Sequence, residues 1–192
     1  MIGITGKRSS ITKAFVSRLN EREVVYGTTE DLPRDLDAYL LCAGVLVGKS
    51  ARDISDEEAK NTFQVNFINV IRFCDDVFSV NKRARVCIIG SESGYLGSYD
   101  MVYAGSKAAM HLYIQSKHLE HATQHLVGIS PVIIEDSGMT EKRSDFKKVQ
   151  ERGEKRRMGR WLRAEEVARV AHVALGEDAL CNTVIRMTGG NW

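Results

Sequence analysis

The sequence predicts an α/β protein, three layers deep, with helices on both faces of a parallel sheet. Two observations carry that expectation. Short β-branched runs of strand length alternate with amphipathic helical stretches, and no internal repeat, linker or low-complexity segment interrupts the alternation. Strands alternating with helices build right-handed βαβ units, which make the sheet parallel and place helices on both sides of it. Ligands of such sheets bind at the carboxyl ends of the strands.

The elements follow in order. Strand-length apolar runs lie at 2–5 (IGIT), 24–27 (VVYG), 39–43 (YLLCA), 86–89 (VCII), 126–130 (LVGIS) and 183–187 (TVIRM). Helical periodicity fits between them at 12–19, 56–80, 103–122, 140–157 and 164–175. Ser55 followed by Glu58 is a capping box that opens the second helix.

Composition bounds the rest. A chain of 192 residues with 43% hydrophobic side chains fits a single domain over 1–192 with a sizeable core. No apolar run approaches the ~18 residues of a membrane span, and the opening MIGITG has neither the charged region nor the cleavage site of a signal peptide, so a cytoplasmic protein is expected. Cys42, Cys74, Cys87 and Cys181 lie far apart with no CxxC pairing, which argues against a zinc site or a disulfide framework. The net charge of +2 hides an uneven distribution. Nine basic residues against three acidic ones fall between Lys142 and Arg160, an excess of six. Such a run is either a solvated helix face or an attractor for an anionic substrate or partner.

Two stretches carry chemistry. After the first strand comes TGKRSSIT (5–12), where a dinucleotide's pyrophosphate would rest on a helix N-terminus; many ordinary strand-to-helix turns look similar. Far along the chain, Tyr103 and Lys107 stand four apart on a predicted helix and project from one face. An ammonium beside a phenol favours the phenolate, which makes the pair a usable proton shuttle. Ser91, at the end of the preceding strand, returns toward the same place, and its hydroxyl could bond a substrate carbonyl or alcohol oxygen. A Tyr-x-x-x-Lys alone is usually an exposed helix pair, and the Ser-strand-loop-helix context is what argues otherwise.

With those residues in view, the sequence resembles the short-chain dehydrogenases/reductases over most of its length. TGKRSSIT stands where that family has TGxxxGxG, LCAG (41–44) where it has NNAG, and VNFIN (65–69) matches the helix carrying its active-site Asn, here Asn66. Ser91, YAGSK (103–107), GRWLRAEEVARVAHVAL (159–175) and MTGG (187–190) follow in the family's order. The resemblance implies a Rossmann-like fold and an NAD(P)-dependent oxidoreductase that interconverts a carbonyl and a secondary alcohol. Tyr103 would exchange the proton, Lys107 would hold the nicotinamide ribose and depress the Tyr103 pKa, Ser91 would orient the substrate oxygen, and Asn66 would anchor a water relay to Lys107. The cofactor-binding set it implies is Gly6, Lys7, Arg8, Ser9, Ser10, Ile11, Thr28, Thr29, Cys42, Ala43, Gly44, Tyr103, Lys107, Pro131 and Ile134. It also implies a homodimer or homotetramer paired through the Asn66 and Tyr103 helices, and a substrate lid at about 137–160 that contains the basic run.

The departures from the family are specific. Ser10 and Thr12 replace the second and third glycines of the turn, so hydroxyls would donate to phosphate where bare backbone otherwise approaches it. Only TEDLPRDLDAY separates Thr28 from the next strand, so one βα unit and its following helix are missing. A six-stranded sheet is expected, in order 2-1-4-5-6-7 by family labels with strand 3 absent, and the family's adenine-contacting Asp goes with it. Ser91 precedes Tyr103 by twelve residues, one fewer than is common, with Ser93 as a weaker candidate. Cys42 replaces an Asn of NNAG, Val132 a Gly, and Asp136 a Thr. An acid at the end of the second strand would bind the 2′-hydroxyl of NAD and repel a 2′-phosphate. Thr28 and Thr29 stand there with Lys7 and Arg8 across the turn, which favours NADP over NAD, although Glu30 and Asp31 are close.

Other residues read more plainly. His118, His121 and His125 fit a solvated helix end better than a metal site; Trp161 and Trp192 fit packing under the lid and at a subunit contact. No interleaving of aromatic and basic residues points to nucleic acid. A catalytically idle nucleotide sensor or scaffold on the same fold is the alternative, motivated by the lost glycines. A nucleotide-sugar epimerase would need a substrate domain that 192 residues cannot hold.

Overall fold

Six parallel strands form one sheet in the order β2-β1-β3-β4-β5-β6, with β1 at Ile2–Thr5, β2 at Val24–Tyr26, β3 at Ala38–Leu41, β4 at Arg85–Ile89, β5 at His125–Pro131 and β6 at Thr183–Met187. This is the expected order with the third family strand left out. The structure is a computed structural model, and it describes residues 1–19, 24–141 and 146–190. Eight α-helices lie among these residues: α1 (Ser10–Val16), α2 (Asp56–Phe63), α3 (Asn69–Val80), α4 (Ser93–Leu96), α5 (Met101–Ser116), α6 (Gly138–Glu141), α7 (Phe146–Glu154) and α8 (Ala164–Gly176). None is long and apolar enough to cross a membrane.

Strand alternation divides the core in two. On β4, Val86 and Ile88 face α3 and α5, where Tyr39, Leu41, Phe73, Val77, Met110, Ile114 and Leu126 pack with them. Cys87 and Ile89 face the other way, toward α1 and α8, with Ile2, Ile4, Phe15, Leu40, Val127 and Ile129. Ala164, Ala168, Ala171 and Ala174 are buried at helical spacing on α8, so small side chains let that helix approach the sheet closely.

The short link between β2 and β3 shows how the sheet closes without the missing unit. Leu32 and Leu36 are buried in the core, and the Tyr39 hydroxyl donates to the Pro33 carbonyl at 2.8 Å. Arg34 lies over the Phe73 ring, 4.5 Å from its centroid, and donates to the Thr29 carbonyl at 2.9 Å. Gly3 is required here, because a Cβ would come within 2.7 Å of the Tyr39 ring. One eleven-residue link therefore fills, with its own side chains, the space that a helix would otherwise cover.

Three helix expectations need correction. The 56–80 helix opens on the expected capping box, Ser55 Oγ accepting from Glu58 N at 3.2 Å, but it runs through a π-helical turn at Gln64–Ile68 that periodicity did not show. The 103–122 helix starts at Met101 and stops at Ser116. Asn182, in the left-handed region at φ 54°, donates its side-chain amide to the Ile114 and Lys117 carbonyls, which closes the helix. The histidines therefore do not share a helix: His118 and His121 lie in the turn after α5, and His125 begins β5, 1% exposed, with Nε2 donating to the Ala174 carbonyl at 2.9 Å. The 140–157 helix appears as α6 and α7, with residues 142–145 between them outside the described set, as is Trp192.

Candidate active site

Helix α5 begins at an Asp100 cap. Its carboxylate accepts from Tyr103 N at 2.8 Å through one oxygen and from Gly48 N at 2.9 Å through the other. That cap, which the sequence reading missed although an Asp three residues before the Tyr is an N-terminal signal, sets the first turn and with it the Tyr103 ring. The Lys107 Nζ lies 5.7 Å from the Tyr103 ring centroid and donates to the Ile89 carbonyl at the end of β4, at 3.1 Å. Ser91 follows directly after Gly90, its Oγ accepting from Ser93 N at 3.2 Å, and its hydroxyl faces the Tyr103 phenol, whose pKa it lowers. Ser91, Tyr103 and Lys107 thus meet at one point above the ends of β4 and β5.

The ionisations at this corner are set chiefly by burial. Burial raises the Tyr103 phenol above its ordinary value, and the hydrogen bond from Ser91 is what pulls it back; Asp100 and Cys42 push it further up. Lys107 is 5% exposed, and desolvation lowers its own pKa to about 8.

Asn66 is 1% exposed and sits in the π-helical turn. Its Oδ1 accepts from Val45 N at 2.8 Å, and its Nδ2 donates to the Val45 carbonyl at 2.9 Å and to Ser106 Oγ at 3.1 Å. These bonds tie the loop after β3 to α5. Between them stands Gly44, where a Cβ would lie 3.3 Å from Asn66 Oδ1 and 3.7 Å from Lys107 Nζ. The absent side chain keeps the path to the lysine open.

The opening turn is built differently. Gly6 has φ +76°, and a Cβ there would come within 2.9 Å of the Ala43 nitrogen and of the Cys42 carbonyl carbon, so the turn needs glycine on both counts. The Thr5 hydroxyl accepts from the Cys42 and Ala43 amides at 3.0 and 3.1 Å, locking β1 to the loop after β3. Ser9 caps α1 without a side-chain bond to the first turn, so the helix N-terminus offers amides to an anion. Its Oγ instead accepts from the Cys42 thiol at 3.2 Å, and burial pushes that thiol's pKa up. The Ser10 hydroxyl, expected to face phosphate, donates to the Asp136 carbonyl at 2.7 Å. Thr12 is fully buried beneath the turn. Ile11 also belongs to the core rather than to an exposed loop, at 6% exposure.

The remaining predicted residues divide. Thr28 closes its own turn, donating to Asp31 Oδ2 at 2.8 Å and accepting from the Glu30 and Asp31 amides, while Thr29 contributes only its carbonyl, to Arg34. Lys7 lies over the Tyr26 ring, 5.0 Å from its centroid, and Arg8 is exposed. Pro131 ends β5 and accepts from Glu92 N at 3.0 Å. Ile134 pairs in a parallel bridge with Leu162, which fastens the base of the 137–160 segment. The Asp136 carboxylate, placed where the family has Thr, turns away to accept from Ala164 N at 2.8 Å, at the start of α8. The turn and the Tyr103 corner thus present, side by side along the sheet's carboxyl edge, an anion-accepting helix end, an open floor at Gly44 and a buried lysine. These fit a dinucleotide.

A parallel α/β sheet with this edge defines a nucleotide-binding class of protein. The family model for short chain dehydrogenases matches residues 2–148, and the chain belongs to that family. Membership supports an oxidoreductase. No curated protein matches the sequence significantly. Among solved structures, a small-chain dehydrogenase in complex with NADPH superposes with a TM-score of 0.85 at 16% identity, covering 98% of this chain and 96% of its own. A short chain dehydrogenase family protein from Francisella tularensis gives 0.83 at 17%, covering 98% and 96%. A 3-oxoacyl (acyl-carrier-protein) reductase from Agrobacterium tumefaciens with NADP bound gives 0.83 at 18%, covering 99% and 93%. At these identities the likeness is one of fold.

Proposed function

We propose that this chain is a nicotinamide-dependent oxidoreductase, preferring NADP(H), that interconverts a carbonyl and a secondary alcohol with Tyr103 as proton donor and acceptor. The observation that carries the reading is the convergence of the Ser91 hydroxyl and the Lys107 ammonium on Tyr103. When bound, the nicotinamide supplies or takes the hydride. Tyr103, kept as a phenol by its burial, is loaded to protonate a substrate oxygen, which suits reduction. Ser91 then bonds the phenolate as it forms, and Lys107, still charged at neutral pH, offers its remaining N–H donors toward Gly44 and the ribose. Asn66 holds the loop that keeps this path open.

The cofactor preference rests on Lys7, Arg8 and the absence of an acid at Thr28 and Thr29; two of the superposed structures hold NADPH or NADP. Asp31, turned onto Thr28, is the group that would oppose a 2′-phosphate. In the proposed lid, Lys147, Lys148 and Lys155 are exposed, whereas Arg160 is paired with Glu166 at 2.9 Å and Arg156 lies 4.3 Å from the Trp161 ring centroid. The exposed lysines favour an anionic substrate, over a range of roughly 8 Å at physiological salt. Phe63 and Leu112, exposed on α2 and α5, support pairing of those helices in a homodimer or homotetramer.

The test is cofactor fluorescence on titrating NADPH and NADH separately, followed by kcat/KM for matched anionic and neutral carbonyl compounds at several salt concentrations. Tighter NADPH binding and an anionic advantage that shrinks with salt support the reading. Binding with no turnover of any carbonyl or alcohol would move the assignment to the nucleotide sensor.

A further inference from the structure

The corner that carries Ser91 is held by a group of residues with no part in the proposed chemistry. Glu92 is 3% exposed, and its carboxylate accepts four hydrogen bonds from two strands: Ser130 Oγ donates to Oε1 at 2.8 Å, Arg186 Nε donates to Oε1 and Oε2 at 3.1 and 3.2 Å, and Arg186 Nη2 donates to Oε2 at 2.6 Å. Ser130 and Arg186 are register partners on β5 and β6, so their side chains rise from the same face toward one point. The planar guanidinium then lies over the Tyr95 ring, 4.4 Å from its centroid, and Tyr95 stacks on His111 at 4.5 Å with 22° between the rings. His111 stands four residues after Lys107 on α5, which puts Tyr103, Lys107 and His111 along one face of the helix.

His111 is wedged rather than bonded. It is 3% exposed, neither ring nitrogen has a hydrogen-bond partner, and its pKa falls to about 4, chiefly through burial and then through Lys107. Gly90 and Gly94 flank it so closely that a Cβ on either would come within 2.6 or 2.7 Å of the ring. The imidazole thus presses on both sides of the Ser91 turn.

We propose that Glu92 is a positioning residue: its carboxylate, gripped by Ser130 and Arg186, fixes the β4–α4 corner so that the Ser91 hydroxyl reaches Tyr103, and the Arg186–Tyr95–His111 stack fastens that corner to α5. A buried carboxylate beside a site, costly to desolvate, is held here by charge-assisted bonds that define a geometry. The proposal rests on the reading of Tyr103 as the proton-transfer group, but its test does not require turnover.

Difluorotyrosine placed at position 103 reports the ionisation of that phenol alone by fluorine NMR, in the cofactor-free protein. Glu92→Ala should move the midpoint upward by about half a unit to one unit, the size of one lost hydrogen bond to the charged form. Ser91→Ala should give the same shift, and the double substitution should add nothing to it. Glu92→Gln, which keeps the shape and one acceptor, should restore part of the wild-type value. The direction is diagnostic. The groups facing Tyr103 are Ser91, Asp100, Cys42 and Lys107, and simple removal of a nearby negative charge would move the midpoint down. Arg186→Lys, which keeps the charge and loses the fork, should shift it upward less and stands in if Glu92→Ala does not fold. A fall in Tm with the midpoint unmoved or lowered would overturn the proposal and leave Glu92 a packing residue. A wild type that reduces no carbonyl, with Glu92→Ala still moving the midpoint upward, would overturn the functional reading and keep the clamp.

Discussion

The Tyr103 corner and the Gly6 turn lie on the same edge of the sheet and are made in opposite ways. At the corner, Ser91 from the turn after β4 and Lys107 from α5 lie against one phenol, and the elements that carry them are fixed by the protein itself: Asp100 caps the helix start, and the Ile89 carbonyl accepts from Lys107. At the turn, the hydroxyls of Ser9, Ser10 and Thr28 are all engaged with the protein itself, to Cys42, Asp136 and Asp31. The first region is already held by its own contacts, whereas under the proposed reading the second would exchange internal hydrogen bonds for cofactor bonds. Preorganised groups contribute to a transition state without further rearrangement; engaged hydroxyls subtract the bond they give up. The comparison teaches that retained residue types at the corner imply retained function more strongly than plausible donors at the turn imply affinity.

The largest effect is expected from Lys107→Ala, because Lys107 belongs to both regions: turnover and cofactor affinity should both fall, measured by initial rates and fluorescence titration. Loss of turnover alone would detach Lys107 from the cofactor floor. Tyr103→Phe should cost turnover about 10²- to 10⁴-fold, the range for a general acid, with NADPH affinity nearly unchanged. A variant that still turns over at the wild-type rate would place the proton transfer elsewhere.

The corner also has a pH signature. Between its ordinary pKa of about 6.5 and the native value of about 4, His111 binds a proton in the unfolded chain and not in the folded one. Stability is therefore complete above about pH 6.5 and declines as pH falls toward 4, by on the order of 3 kcal/mol. His111→Phe keeps a ring against Tyr95 and removes the titration, so thermal melts across this range should flatten, with His125, also lowered by burial, retaining part of the slope. An unchanged slope would mean that His111 is not held neutral. The smallest effect is expected at the turn: Ser10→Ala should weaken NADPH binding by about 2- to 10-fold, one neutral hydrogen bond's worth. Tighter binding would show that Ser10 serves Asp136 and competes with the cofactor.

What the sequence determined by itself is what local pattern and residue type can carry. Alternating strand and helix runs, and a chain too short between Thr28 and residue 38 to hold another βα unit, were enough to foresee a six-stranded parallel sheet and its strand order, and the four-residue spacing of Tyr103 and Lys107 placed both on one face of α5. Each depends on neighbours in the chain or on a topology that admits few solutions. Only the tertiary structure decided the rest. The π-helical turn around Asn66 is imposed by its bonds to Val45 and Ser106; helix α5 stops at Ser116 because Asn182, from the far end of the chain, caps it. Glu92 and Arg186 stand 94 residues apart and carry no motif, and become a pair because β4, β5 and β6 lie side by side, with Ser130 and Arg186 in register. Hydrogen bonds between distant segments leave no periodicity in a sequence, since their partners are chosen by the packing of strands and not by the residues beside them.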